Sequence, residues 1–247
     1  MIKKIEGIII STTDYKESSK IINIFTENDG VIGVLAKGCK NYKSKIFASS
    51  NTLTYGTFYL KYYKGSVPLL MEVDIIDNFK TIRKDIIKTN YAIYLLELTT
   101  KVYKHDEDGN IYKLLINGLK KINEDYDAKV ITSIVELQLL PYLGIKPELN
   151  CCINCSSKKD IITISSHKGG CICASCLEDD FIYNIKTIAL IKMLSIVDLS
   201  KVTKIEINDK IKKEISTFID DYYDRYSGLY LNSKKLLEEF IKTSILE

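Results

Sequence analysis

Six of the seven cysteines in this 247-residue chain fall between positions 151 and 176. Cys152-Ile153-Asn154-Cys155 and Cys173-Ala174-Ser175-Cys176 are two C-x2-C pairs, 17 residues apart. Two such pairs supply the tetrahedral thiolate set that Zn²⁺ accepts at roughly 2.3 Å per bond, and the separation falls inside the window for zinc knuckles. Gly169-Gly170 just before the second pair suits the tight chain reversal a knuckle needs. Four thiolates leave no open coordination position, so the expected Zn²⁺ is structural. Cys151 and Cys171 stand where either could replace a neighbour; Cys152 and Cys173 are preferred because they make the two spacings equal. The rival reading is a set of free or redox-active thiols.

A disulfide scaffold would need an oxidising compartment and cysteines spread along a short chain. Here the N-terminus meets charge at Lys3 and lacks the apolar core of a signal peptide. No apolar run approaches the roughly 18 residues of a membrane span. A cytoplasmic chain with no membrane association is expected. At 46% hydrophobic and 27% charged residues it is not disordered. Its length suits one to two domains.

Residues 1–79 read as strands. Ile5 to Ile10, Ser19 to Thr26, Val31 to Lys37, Leu53 to Lys64 and Val67 to Ile76 are rich in Ile, Val, Thr, Tyr and Phe, with turn signals such as Asn28-Asp29-Gly30 between them. Five short strands predict a closed OB-type barrel; an SH3-like barrel is the rival. From Thr81 the apolar period becomes helical, over Ile82 to Leu96, Ile111 to Ile122 and Val130 to Leu140, with a loop at His105 to Asn110. Helical spacing resumes over Ile185 to Val197, Ile211 to Tyr223 and Lys234 to Ile245. The expected class is α+β: an OB-type barrel (1–79), a helical domain in two parts (80–149 and 179–247), and an inserted four-cysteine zinc finger (150–178).

Charge is unevenly placed. The net charge is +3, and residues 1–80 carry eleven lysines against eight acids, so the whole excess lies on the barrel. Gly30 to Met71 contains Lys37, Lys40, Lys43, Lys45, Lys61 and Lys64 and no acid, with Tyr42, Phe47, Tyr55, Phe58, Tyr59, Tyr62 and Tyr63 interleaved. Alternation along Leu53 to Lys64 places Tyr55, Thr57, Tyr59, Lys61 and Tyr63 on one face. Lysines that track phosphates beside rings that stack on bases are what single-stranded nucleic acid needs. The candidate nucleic-acid-binding residues are Lys37, Lys40, Tyr42, Lys43, Lys45, Tyr59, Lys61 and Lys64, with Lys37 to Lys45 expected as a mobile basic loop. The competing reading is a solvated lysine surface, in a chain whose wealth of Lys, Ile, Asn and Tyr reflects AT-rich coding.

Catalytic constellations fare poorly. His105-Asp106-Glu107 ahead of Cys152-x2-Cys155 echoes zinc deaminases, but no Pro precedes Cys152 and a second cysteine pair completes the zinc shell. His167 beside the knuckle reads as a surface histidine, and no G-x4-G-K-[ST] phosphate loop occurs. The chain is therefore read as a binding protein rather than an enzyme, with a zinc-containing OB-fold RNA-binding or protein-bridging module as the alternative.

Several runs together resemble the RecO family of bacterial recombination mediators, nearly end to end. Gly7-Ile8-Ile9-Ile10, Asp14 to Ser18, Phe25-Thr26-Glu27 and Ala36-Lys37-Gly38 are similar to the start of its OB barrel. Glu136 to Leu140 and Leu143 to Leu149 resemble its helix entering the zinc module. Cys152-x2-Cys155 and Gly169-Gly170-x2-Cys173-x2-Cys176 match the module, which favours Cys152 and Cys173 over their neighbours; Ser233-Lys234 fits its C-terminal pattern more loosely. Ser156 stands where a Gly commonly follows the second ligand. The resemblance implies binding to single- and double-stranded DNA and annealing of complementary strands. It also implies partnership with RecR and with the acidic C-terminal tail of single-strand binding protein, so that RecA is loaded. That tail would need an apolar pocket with a lysine rim, expected on the helical domain.

Overall fold

A computed structural model of the protein describes residues 1–103 and 109–244. The His105 to Asp108 part of the expected loop and Ile245 at the end of the last expected helix lie outside these. The described chain is α+β: a closed five-stranded barrel, then helices, with a small cysteine-bearing sheet among them.

The barrel strands are β1 (Ile2–Tyr15), β2 (Ser19–Thr26), β3 (Gly30–Ala36), β4 (Tyr55–Lys61) and β5 (Leu69–Asp77), in the order β1-β2-β3-β5-β4. β1 is far longer than the apolar run Ile5 to Ile10, because it serves two neighbours. Its first half pairs with β4 from Ile2↔Lys61 to Ile8↔Tyr55, and its second with β2 from Gly7↔Thr26 to Tyr15↔Ser19. A bulge between Ile9 and Ser11 gives the bend that this double service requires. Gly7 is paired on both edges; a Cβ there would lie 2.6 Å from Ile24 Cγ2 and 2.7 Å from the Phe25 carbonyl. The parallel contact Leu35↔Leu69 closes the barrel, with Leu35 N–H donating to the Pro68 carbonyl at 2.8 Å. Ile9, Ile22, Ile24, Val34, Phe58, Leu60 and Leu70 fill the interior. β4 and β5 begin two residues later than the sequence suggests, and β4 stops at Lys61.

The chain divides into two compact units, residues 1–124 with 233–247 and residues 125–232. These boundaries differ from the sequence-based ones, since helices that follow the barrel in sequence share its unit. They are α1 (Lys80–Lys84), α2 (Ile86–Val102), α3 (Asn110–Asn123) and α7 (Asn232–Ser244), whose first residue lies at the boundary. Phe25 meets Tyr103 and Tyr112 edge-on, with ring centres 4.8 and 5.6 Å apart. The apolar period from Ile82 to Leu96 hides a break: Asp85 is extended (φ −121°, ψ 118°) and its Oδ1 accepts from the N–H groups of Ile87 and Lys88. An N-cap thus begins a new helix where periodicity alone predicts one continuous element.

In the second unit α4 (Ala128–Leu139) is buried almost throughout against α5 (Ile185–Leu194) and α6 (Asp209–Tyr226). Gln138 Nε2 donates to the carbonyls of Leu194 and Val197, and the Tyr223 hydroxyl donates to the Glu136 carbonyl at 2.8 Å. Between α4 and α5 lies a three-stranded sheet, β6 (Glu148–Cys152), β7 (Ile161–Ser165) and β8 (Gly170–Cys173), in the order β6-β8-β7. No helix among the described residues is long and apolar enough to cross a membrane.

Candidate metal centre and nucleic-acid surface

Two strand ends and two tight turns build the cysteine cluster. Cys152 ends β6, and the chain reverses at once: Ser156 N–H donates to the Cys152 carbonyl at 2.8 Å, and Cys152 N–H to the Ser157 carbonyl at 2.7 Å. Cys173 ends β8, and a single 3-10 turn, Ala174–Cys176, carries Cys176 back toward it. Gly170 must be glycine, for a Cβ would sit 2.6 Å from the Glu148 carbonyl where β6 and β8 run side by side. Ser156 holds φ +60°, a left-handed conformation that explains why glycine suits this position.

The sulfurs of Cys152, Cys155, Cys173 and Cys176 lie within 4.8 Å of one another, the only such group among the described residues. Cys155 Sγ and Cys173 Sγ are 3.6 Å apart, close to the edge of about 3.8 Å of a tetrahedron with Zn–S bonds of about 2.3 Å, and far from a disulfide bond of about 2.05 Å. Cys152 and Cys173 are buried. Burial pushes the Cys152 thiol up, and N–H groups of Cys173, Cys155 and Asn154 outweigh it and pull it down. The Cys176 thiol is pushed up by Cys155 and Cys173 beside it, and then by desolvation. Such sulfurs ionise together only when a cation shares their charge, so the donor set fits a metal ion. Cys151 and Cys171 stand outside the cluster, with Cys171 pushed up to about 11 by burial.

The eight lysine and tyrosine candidates on the barrel separate into two groups. Lys37, Lys40, Tyr42, Lys43 and Lys45 lie on the β3–β4 loop, which is tied down rather than loose. Cys39 and Ile46 insert into the barrel core, and Gly38 and Lys40 donate to Ser19 Oγ and the Ser18 carbonyl. The expectation of a mobile loop missed these two anchors. Tyr42 is 75% exposed, with Lys43 Nζ 5.6 Å from its ring centre, while Lys40 is paired with Asp14 at 2.7 Å. Lys37 and Lys45 are exposed.

Tyr59, Lys61 and Lys64 lie at the end of β4 and in the turn that follows. The expected single face of β4 is broken up. Tyr55 is buried, stacked on Phe79, with its hydroxyl donating to Glu6 Oε1 at 2.5 Å. Tyr59 donates to Asp74 Oδ2 at 2.7 Å, and Tyr63 lies beyond the strand. A stretch free of acids along the chain is not free of them in space, because β5 places Glu72 opposite Tyr59 and Asp74 opposite Thr57. Lys61 Nζ lies 5.2 Å from the Tyr63 ring centre. Sequence reasoning did not select Tyr15 and Lys16, at the β1–β2 turn, where the ammonium stands 5.3 Å from the ring centre. Their adjacency in sequence was the available signal.

The model "Recombination protein O N terminal" matches residues 1–79, and "Recombination protein O C terminal" matches residues 83–235. Proteins named DNA repair protein RecO are similar over nearly the full chain. The relative from Bacillus pumilus is 36% identical over 243 residues, covering 97% of this chain and 94% of its own. Those from Bacillus subtilis and Listeria monocytogenes are each 35% identical, covering 97% of this chain and 95% of theirs. With both family halves matched in order and the curated relatives aligned end to end, the chain belongs to the RecO family.

Proposed function

We propose that this chain is a DNA repair and homologous recombination mediator. It binds single- and double-stranded DNA, anneals complementary strands and, with RecR, helps load RecA onto DNA coated with single-strand binding protein. The observation that carries this reading is the end-to-end similarity to proteins named DNA repair protein RecO. The site of action is the bacterial cytoplasm, at the nucleoid during repair. Annealing requires that two polyanions be neutralised with their bases exposed, and lysines beside exposed rings supply this without covalent chemistry. Zn²⁺ is the proposed occupant of the Cys152, Cys155, Cys173 and Cys176 cluster, where it would pin β6 to β8 as a structural ion. For the acidic tail of single-strand binding protein, the second unit offers a cavity of about 190 Å³ lined by Pro147, Leu149 and Ile196 with Lys146 and Lys192. Apolar lining with a lysine rim suits an acidic peptide.

Fluorescence anisotropy of labelled single-stranded DNA, titrated against salt, tests the reading. If all six lysines between Gly30 and Met71 meet phosphate, the log–log slope approaches about −4, from about −0.7 per contact. Tight, salt-sensitive binding and faster annealing of complementary strands support it; salt-insensitive binding, or none, overturns it. Matched RNA oligonucleotides separate a DNA protein from an RNA-binding module.

A further inference from the structure

The Lys–Tyr pairs of the barrel are not one surface. They gather at the two ends of β1, whose Ile2 pairs with Lys61 and whose Tyr15 pairs with Ser19. At the Ile2 end, Tyr63 is 49% exposed beside Lys61, Lys64 follows in the turn, and Lys4 stands 5.6 Å from the Tyr59 ring centre. At the Tyr15 end, Tyr15 is 42% exposed beside Lys16, and Tyr42 lies beside Lys43. Loop and hairpin are joined there by Lys40 N–H donating to the Ser18 carbonyl at 3.0 Å. Between the two ends, Gly7 to Thr13 of β1 carry no charged side chain.

We infer that the barrel carries two separate platforms for single-stranded nucleic acid, one at each end of β1, so that one chain holds two strands at once. This rests on the proposed function and specifies its mechanism. A strand of this length has a contour of about 40 Å at about 3.4 Å per residue. The Debye length at physiological salt is only about 8 Å. Even with the bend at Ile9, phosphates held at one end are largely screened from those at the other. Each platform pairs an ammonium with an exposed ring, so each can neutralise a backbone and stack a base.

The test counts strands per chain. Native mass spectrometry of the full chain with an oligothymidylate of about six nucleotides, at the short end of OB site sizes, should show two bound strands at saturation. Tyr42→Ala/Lys43→Ala and Lys61→Ala/Tyr63→Ala should each leave one strand bound, the remaining site within about twofold of its native affinity. Each variant should slow annealing at limiting protein about tenfold, the effect of losing roughly one stacked base. Because the altered side chains are exposed or half-buried, both variants should keep the native circular dichroism spectrum. One strand per native chain, or loss of all binding in both variants together, overturns the two-platform inference. A native chain that binds no strand overturns the proposed function instead.

Discussion

Ser233 meets Glu97 twice. Its N–H donates to Glu97 Oε2 at 2.9 Å and its hydroxyl donates to the same oxygen at 2.5 Å, joining the start of α7 to the middle of α2 across 136 positions of sequence. Ser233 is buried, so removing the acceptor leaves two donors without water to replace it. Glu97→Ala is expected to cost about 1–3 kcal/mol in urea denaturation. Limited proteolysis should then cut first near residue 232, while Glu97→Gln, which keeps an acceptor, restores much of the protection. Equal proteolysis of native and Glu97→Ala chains would show that α7 is held by its apolar face alone.

Ser156 occupies a left-handed conformation at φ +60°. Such geometry costs a residue with a Cβ about 1–2 kcal/mol. Ser156→Gly should raise the midpoint of chelator-induced unfolding and lower nothing else. A lower midpoint in that titration contradicts the account of this turn.

Removal of the metal should be cooperative and local at first. The proposed ion joins the end of β6 to the end of β8, and structural zinc sites contribute apparent free energies of about 10–16 kcal/mol. Cys173→Ser should reduce bound zinc from about one per chain to a small fraction, read by a chromogenic chelator. Cys171→Ser and Cys151→Ser should leave it unchanged, because neither sulfur joins the cluster. Zinc loss in Cys171→Ser equal to that in Cys173→Ser would reassign the ligand set.

Asp127 caps α4 with one carboxylate oxygen, accepting from Lys129 and Val130 N–H groups, and takes Lys212 of α6 on the other at 2.6 Å. Burial raises its pKa, and Lys212 with the two N–H groups outweighs this and holds it below the usual carboxylate range. A lowered folded pKa means the contribution is complete above about pH 4, the unfolded value, and is lost as pH falls through the folded one. Lys212 is shifted up, mainly by Asp127, so its share persists to the ordinary lysine range and fades only as pH rises beyond it. Asp127→Asn should cost about 1 kcal/mol between pH 5 and 8, and that difference should shrink below about pH 4. A pH-independent difference would separate the capping role from the charge.

Lys37→Ala/Lys43→Ala/Lys45→Ala should reduce the salt slope of single-stranded DNA binding by about 2, at about 0.7 per lysine. Lys40 is left native because its ammonium is engaged by Asp14. An unchanged slope would remove the β3–β4 loop from the binding surface.

The barrel and the knuckle were legible because each has a short-range signature: alternating β-branched residues between turn signals, and ligand pairs at fixed spacing. What sequence order concealed was mostly lateral. Glu72 and Asp74 follow the acid-free stretch in sequence, yet strand pairing sets them beside Tyr59 and Thr57. Cys39 and Ile46 look like incidental apolar residues in a basic loop until the barrel interior receives them. The break at Asp85 was readable as a capping residue, but the apolar period on either side of it spoke louder. Ser233 carried its motif without revealing that its partner is Glu97.

The second unit interrupts the first, entering after residue 124 and leaving before residue 233. Order of synthesis therefore matters. At about 5–20 residues per second, the ribosome needs on the order of 5–20 s to make the intervening stretch. Throughout that interval the barrel and its first three helices wait without α7. The earliest part of the chain to be made is among the last to be completed, so a premature stop anywhere after residue 125 deprives the N-terminal unit of its closing helix.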